Sequence, residues 1–318
     1  MAGVQFTADA GELHGRAAGE KTGGLGVRSF RREDFWNPYR QTFMSGSQIF
    51  IRSIGHSLEG LGIPAYANFD FAAVAPPENA TLLIGGMHGN EPATVVLLES
   101  FFQSTAWAAL DGCPVIVLPL ANPDGGKRGT RYNARGVDLN RNCDCHWRAA
   151  SEEPSGAAPW SEPESRALRD FILAWLPAKI VSLHWALAEL DADGPQSTGL
   201  AEAMWAGLDE MARRPYRLRV SELGRGQRRL AQTYVACPGS FGQWCGYGLT
   251  YPDGTAPAMV TLELPHDPHA ASRPDDLPDS HLDEIRALWQ KDAAGYLRAV
   301  EPGVHAMLTA ACRFPTTT

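Results

Sequence analysis

Four short apolar runs rich in β-branched residues recur along the chain, and each is followed by glycine or polar residues. They occupy residues 81–86, 114–120, 180–183 and 259–264. Nearly continuous apolar runs of about four to eight residues are typical of central strands that are covered on both faces. We therefore expect four buried strands that end in polar loops.

Stretches with apolar residues at helical spacing separate these runs. They cover residues 91–102, 162–176, 201–213 and 282–300, and the second begins with a serine, a proline and acidic residues, as helices often do. Strands that alternate with helices predict an α/β fold with a mixed, mostly parallel sheet between helices. Ligands bind beyond the carboxyl ends of the strands in such sheets, so we look for chemistry in the loops that follow the runs.

Composition and charge narrow the classes of partner. Of the 318 residues, 44% are apolar and 20% are charged, which is ordinary for a folded protein. The 28 basic residues are scattered and outnumbered by 36 acidic ones, which excludes nucleic acid or an anionic membrane as the partner. No stretch reaches the ~18 apolar residues that span a bilayer, and no secretory signal precedes the first strand. We expect a cytoplasmic protein that acts on a small ligand.

The chain divides into one long domain and two short flanking segments. Residues 1–44 show no periodicity and are interpreted as an N-terminal extension, residues 45–300 as the main domain, and residues 301–318 as a C-terminal tail. The six cysteines are spread through a chain that needs no disulfides, so we expect free thiols. Cys143, Cys145 and His146 form a local group of soft metal ligands, but the second pair typical of such zinc sites is missing, and packing is the alternative.

The first candidate motif lies between the first apolar run and the helix that follows it. His88 and Glu91 are three residues apart, nearly one helical turn, so both side chains can face one point. A catalytic zinc site uses about three nitrogen and oxygen ligands and leaves a position for water. This spacing also arises by chance, and the motif alone is weak.

Two later strands carry further candidates. His184 directly follows the third run, where a hydrogen-bonded structural histidine is the alternative to a metal ligand. Glu263 interrupts the fourth run, and a buried carboxylate needs a partner because its desolvation is costly. A metal-bound water beside Glu263 would supply that partner.

A loop rich in guanidinium and amide groups follows the second run. It contains the turn at residues 122–125 and then Arg131, Asn140 and Arg141. Arginine binds carboxylates in a bidentate manner, and a cation near a reacting carbonyl can stabilise an oxyanion. The alternative is a solvated loop in which an arginine pairs with Asp138.

In their order along the chain, which is the His88 and Glu91 pair, the loop with Arg131, then His184 and then Glu263, the four features resemble those of the zinc carboxypeptidase superfamily. Segments 54–60, 136–142 (GVDLNRN) and 238–245 are further similar to the bacterial murein peptide amidase A group, over about residues 45–300. The resemblance implies a mixed, roughly eight-stranded sheet and one Zn²⁺ per chain. It also implies hydrolysis of the γ-D-glutamyl-diaminopimelate bond in murein peptides during cell-wall recycling.

The resemblance also implies a role for each matching residue. The three metal ligands would be His88, Glu91 and His184, with Glu263 as the general base. The substrate would be a small peptide with a free carboxylate. Arg131 would stabilise the oxyanion, with Arg128 as the alternative residue for this role. Asn140 and Arg141 would bind the carboxylate, and Tyr247 would cover the substrate.

Two parts of the chain depart from the family pattern. Cys143 to Trp147 replaces the aromatic residue and proline that many relatives have after the Asn-Arg-Asn run. Glu189, Asp191 and Asp193 follow the third strand, and Asp191 is our candidate for the side-chain ammonium of a diamino acid. Acids exposed in a loop are the alternative.

Three other functions remain open. A metallocarboxypeptidase would use the same residues. A deacylase of the aspartoacylase or succinylglutamate desuccinylase type would share the metal ligands, but its pattern does not predict segment 238–245. A binding protein that has lost catalysis usually lacks a ligand or the base, and here all four residues are present.

Overall fold

The computed structural model describes residues 48–72, 75–149, 153–220, 237–269 and 281–316. The predicted N-terminal extension, residues 1–44, lies outside these ranges. In the described part of the chain, no helix combines the length and the apolar character needed to cross a bilayer.

The described strands form one sheet of eight, in the order β1-β2-β4-β3-β5-β8-β6-β7. Their bounds are β1 Phe50–His56, β2 Gly62–Ala67, β3 Thr81–Ile84, β4 Val115–Leu118, β5 Lys179–Trp185, β6 Glu189–Asp193, β7 Arg217–Val220 and β8 Ala258–Leu264. The four central strands β4, β3, β5 and β8 are parallel. These are the four strands that the apolar runs predict. Strand β2 pairs antiparallel with β1 and β4, and β6 pairs antiparallel with β8 but parallel with β7, so the sheet is mixed.

Helices cover both faces of this sheet and confirm the predicted α/β sandwich. Their bounds are α1 Pro92–Phe102, α2 Thr105–Ala108, α3 Pro123–Arg128, α4 Pro163–Trp175, α5 Thr198–Ala206, α6 Glu210–Arg213, α7 Phe241–Gln243 and α8 His281–Arg313. The single helix predicted over 201–213 is two helices. The first ends at Ala206 with Gly207 as its C-cap. The side chain of Asp209 caps the second by accepting from the backbone N–H of Ala212.

The central strands are apolar without a break because both of their faces are buried. Leu83 and Val181 pack with α1, α5 and α8 on one face. Leu82, Ile84 and Ile180 pack with α4 on the other. Side chains alternate between the faces of a strand, so Ser182 and His184 lie on the α4 face with Ile180. The chemistry of β5 is therefore on that face.

Strand β6 corrects the expectation that the acids after His184 lie in a loop. Residues 189–193 pair with β8 on one side and with β7 on the other. Leu190 and Ala192 are buried in the core and hold the strand in place. The acids alternate with them, so the acidic side chains point to the opposite face of β6.

The last helix extends past residue 300, where the sequence interpretation ended the main domain. Val304, Met307 and Leu308 are fully buried in the core beside α1 and α5. The ammonium of Lys179 donates to the carbonyl oxygens of Cys312, at 3.0 Å, and Phe314, at 2.7 Å. A buried lysine thus binds carbonyl groups at the end of the helix.

Candidate metal centre

His88 and Glu91 lie in the loop that joins β3 to α1. The loop packs against the start of α3, where a Cβ atom on Gly89 would collide with the backbone of Gly125 and Gly126. A hydrogen bond also holds the loop in place, since Nδ2 of Asn122 donates to the carbonyl of Met87 at 3.2 Å. Only glycine at position 89 allows this close approach, which fixes the position of the two side chains.

His88, Glu91 and His184 meet at one point. Their ligand atoms all lie within 4.8 Å of one another, and no other such group of three occurs among the residues that the structure describes. Nδ1 of His88 lies 2.6 Å from Oε1 of Glu91, and Nδ1 of His184 lies 3.4 Å from Oε2 of the same carboxylate. Cys143 and Cys145 are free thiols outside this group, as are the other four cysteines.

The donor set fits a divalent metal. The two Nδ1 atoms face each other at 3.3 Å, and both imidazoles are buried. Two neutral ring nitrogens at that distance need a proton or a cation between them. Two imidazoles with one carboxylate are also the ligands of several catalytic zinc sites.

The charges of the site depend on one another. Burial opposes protonation of His88, but Glu91 and then Asp138 outweigh it and raise its pKa to about 8. Burial also opposes ionisation of Glu91, yet the charge on His88 and hydrogen bonds from His184 and His88 lower its pKa to about 2. Without a cation, the centre therefore keeps a proton on His88 near neutral pH, and a metal must displace that proton.

Asp138 is a further candidate of this site, which the sequence indicated only as the partner of an arginine. It is fully buried, and its Oδ1 lies 3.3 Å from Nε2 of His88 while its Oδ2 accepts from Nε of Arg131 at 2.8 Å. Burial opposes its ionisation, but His88 and Arg131 hold its pKa well below the usual range. A carboxylate behind a ligating histidine fixes the ring and raises its basicity. The signal was an acid inside the GVDLNRN run.

Arg131 and Arg128, the two oxyanion candidates, occupy different places. Nη1 of Arg131 lies 3.3 Å from Nδ1 of His88 and 4.0 Å from Oε1 of Glu91. Arg128 instead pairs with Glu59 on the surface and donates to a carbonyl of its own helix. The structure brings Arg131, and not Arg128, into contact with the metal-ligand group.

Glu263 lies beside the centre because of the register of two parallel strands. It pairs with His184, one strand over, on the α4 face of the sheet. The backbone N–H of Leu187 donates to its Oε2 at 3.3 Å. Burial, followed by the negative charge of Glu91, raises the pKa of Glu263 to about 8. Such a carboxyl can accept and return a proton near neutral pH.

Asn140 and Arg141 form a single 3₁₀ turn that Asp138 begins. The backbone N–H of Asn140 donates to Oδ1 of Asp138 at 2.8 Å, so the turn is tied to the metal centre. Oδ1 of Asn140 accepts from the backbone N–H of Phe241 at 2.8 Å. That bond orients the amide, and no described residue accepts from its Nδ2. Arg141 donates to the carbonyl of Asn140 at 2.7 Å.

The last two candidates lie on neighbouring elements. Tyr247 belongs to the π-helical turn Trp244–Gly248, directly after α7. Asp191 lies on β6 opposite Thr261, and its carboxylate is 3.5 Å from Nη1 of Arg219. Burial raises the pKa of Asp191 to about 6, and Arg219 counteracts the rise. Thr261 and Glu263 are two residues apart on β8, so Asp191 is close to the row that carries the base.

Sequence comparisons show which known proteins this chain is similar to. The zinc carboxypeptidase family matches residues 43–186. Murein peptide amidase A of Escherichia coli (strain K12) is 33% identical over 221 residues, which cover 65% of this chain and 78% of that protein. The protein of the same name from Vibrio campbellii is 30% identical over 237 residues, covering 70% and 82%.

A solved structure supports the fold alone. Bovine thrombin-activatable fibrinolysis inhibitor, in complex with tick carboxypeptidase inhibitor, has a TM-score of 0.57 and 18% identity to this chain. The match covers 83% of this chain and 89% of that one. The mixed sheet between helices is thus a zinc carboxypeptidase fold.

Proposed function

Because this chain belongs to the zinc carboxypeptidase family, and is therefore a hydrolase, we propose that it cleaves an amide bond in a small peptide with a free carboxylate. The bond that we propose is the γ-D-glutamyl-diaminopimelate bond of murein peptides, as part of cell-wall peptide recycling. One observation carries the proposal. Two histidines and a glutamate meet at one point, and a fourth residue, Glu263, lies beside them on the next strand.

In this proposal, His88, Glu91 and His184 hold one Zn²⁺ per chain. When bound, zinc supplies a Lewis acid that polarises the scissile carbonyl and lowers the pKa of a water molecule toward neutrality. Burial of all three side chains places the ligand atoms in a low-dielectric environment, where their attraction for a cation is stronger than in water. Asp138 holds the ring of His88 from behind.

Glu263 moves the proton. Its carboxylate accepts a proton from the attacking water and returns it to the leaving nitrogen, so one residue serves as base and then as acid. Burial and the negative charge of Glu91 raise the pKa of this carboxyl, so it holds a proton more readily than an exposed glutamate does, which suits a group that accepts a proton and returns it. The hydrogen bond from Leu187 orients one of its oxygens.

Arg131 stabilises the negative charge that develops on the carbonyl oxygen. Its Nε is committed to Asp138, which holds the guanidinium with Nη1 toward the metal ligands. A donor fixed in advance in a partly buried site contributes more than one that must reorganise. Arg128, bound to Glu59, does not have this orientation.

Asn140 and Arg141 bind the free carboxylate of the substrate. Their adjacent amide and guanidinium groups offer donors that match a carboxylate, and the turn that carries them is anchored on Asp138. The clamp and the metal centre thus share one buried residue. This shared anchor sets the distance between the carboxylate of the substrate and its scissile bond. We further propose that Asp191 binds the side-chain ammonium of a diamino acid and that Tyr247 covers the substrate.

A panel of substrates tests the reaction. The zinc-loaded protein is incubated with L-Ala-γ-D-Glu-diaminopimelate, with α-linked peptides that have free carboxyl ends, and with N-acyl amino acids. Release of diaminopimelate from the first substrate alone is the expected result. Cleavage of α-linked peptides instead would assign a metallocarboxypeptidase, and cleavage of N-acyl amino acids alone would assign a deacylase. Zinc binding without any hydrolysis would assign a binding protein.

A further inference from the structure

Ser182 contacts the candidate metal ligand His184 at the ring nitrogen that does not face the other two candidate ligands. It lies two residues before His184 on β5, so both side chains are on the α4 face of the sheet. Its Oγ is 3.1 Å from Nε2 of His184. Ser182 is only 1% exposed and His184 2%, so the contact is enclosed in the protein.

The orientation of the imidazole determines which nitrogen carries the proton. Nδ1 of His184 points at Glu91 and at Nδ1 of His88, toward the common point of the site. A neutral imidazole that ligates through Nδ1 carries its hydrogen on Nε2. The group at Nε2 must therefore accept a hydrogen bond, and Oγ of Ser182 is the acceptor in reach.

We propose that Ser182 is a positioning residue of the metal centre. Its hydroxyl accepts from Nε2–H of His184 and thereby fixes both the tautomer and the rotation of the ring, with Nδ1 toward the metal. This inference rests on the proposed function, in which His184 binds zinc. It adds to that proposal a role for Ser182, which no motif of the sequence indicates.

The two imidazoles then have different supports. Nε2 of His88 faces the carboxylate of Asp138, whereas Nε2 of His184 faces a neutral hydroxyl. A carboxylate increases the basicity of its ligand, while a hydroxyl mainly orients it. Removal of the hydroxyl leaves a buried N–H without an acceptor and allows the ring to turn. The affinity of the site for the metal should therefore decrease.

The test compares two buried hydroxyls. Ser182→Ala removes the acceptor. Ser165→Ala removes a hydroxyl of α4 that donates to Oδ1 of Asn142 and contacts no metal ligand. We expect Ser182→Ala to bind zinc about 10-fold more weakly and to release it faster to a chelator. Ser165→Ala should match the parent in both measurements. Ser182→Thr keeps the hydroxyl and suits a strand, so it should restore zinc affinity.

Two further readouts separate positioning from general stability. The Tm of the zinc-free protein should be lowered to a similar extent in both alanine variants. The visible spectrum of the Co²⁺-loaded protein should change in Ser182→Ala only, because the ligand field senses the orientation of His184. Zinc affinity and release equal to those of the parent would overturn the role of Ser182 while leaving the proposed function intact. No zinc binding by the parent would overturn both.

Discussion

Replacement of Asp138 by asparagine should weaken the metal centre and the fold together. The side chain is fully buried, and its two oxygens serve Nε2 of His88 and Nε of Arg131. Oδ1 also accepts the backbone N–H of Asn140. Asparagine keeps the shape and one acceptor, but its amide N–H₂ turns a donor toward a donor of Arg131 or His88.

The size of the effect follows from these contacts. Each hydrogen bond to a charged group contributes about 1.5–3 kcal/mol. Because asparagine loses one of these bonds and removes the charge that strengthens the other, the free energy of unfolding should fall by about 3–5 kcal/mol. The loss from breaking a buried ion pair is of the same order. Zinc affinity should fall by about 10- to 100-fold, because the carboxylate that orients His88 is gone.

The matched control is Asp124→Asn. Asp124 is also fully buried, and its oxygens accept from Oγ of Ser57, at 2.8 Å, and the backbone N–H of Glu59, at 3.1 Å. It contacts none of the metal ligands, so this variant should lose stability and keep zinc affinity. Denaturant unfolding and competition with a chelator measure the two quantities. Equal zinc affinity in Asp138→Asn and the parent, or an equal loss in both variants, would refute the reasoning.

Three further results should follow from the structure. Because the pKa of His88 is raised to about 8, zinc must displace a proton from this ring at lower pH. The zinc affinity of the Glu263→Gln variant should therefore rise with pH and level off near pH 8, and calorimetry in two buffers should detect the released proton. Lys179→Met leaves two carbonyl oxygens at the end of α8 without their donor, so the free energy of unfolding in denaturant should fall by about 2–4 kcal/mol. Zinc affinity should stay unchanged. Arg141→Met should reduce kcat/KM by about 10- to 100-fold, and amidation of the substrate carboxylate should reduce the parent's rate by as much but hardly affect the variant. An affinity that is flat between pH 6 and 8, an unaltered melt, or equal losses on amidation in parent and variant would each contradict the corresponding argument.

The central strands and the residues of the candidate metal centre could be predicted because strong local patterns carry them. Continuous apolar runs mark strands that are buried on both faces, and the polar residue that ends each run marks the edge where ligands gather. His184 follows from that rule, and Glu263 stands out because it interrupts an apolar run. Their juxtaposition, however, comes from the order of β5 and β8 in the sheet, which no local pattern contains.

The outer strands and the supporting residues could not be predicted in the same way. Strand β6 carries alternating acids whose partners lie on β8 and β7, so its pattern also fits a solvated loop. Asp138 and Ser182 are ordinary polar residues in the sequence. Their importance depends on contacts with imidazoles that lie 50 and 2 residues away along the chain, and only the folded geometry aims each of them at Nε2.

The central claim is that this chain holds zinc with His88, Glu91 and His184 and uses Glu263 to move a proton. Zinc content and hydrolysis of L-Ala-γ-D-Glu-diaminopimelate should be measured together for the parent and for Glu263→Gln. The account predicts one zinc per chain in both proteins and release of diaminopimelate by the parent alone. A parent that binds no zinc, or a Glu263→Gln variant as active as the parent, would contradict it.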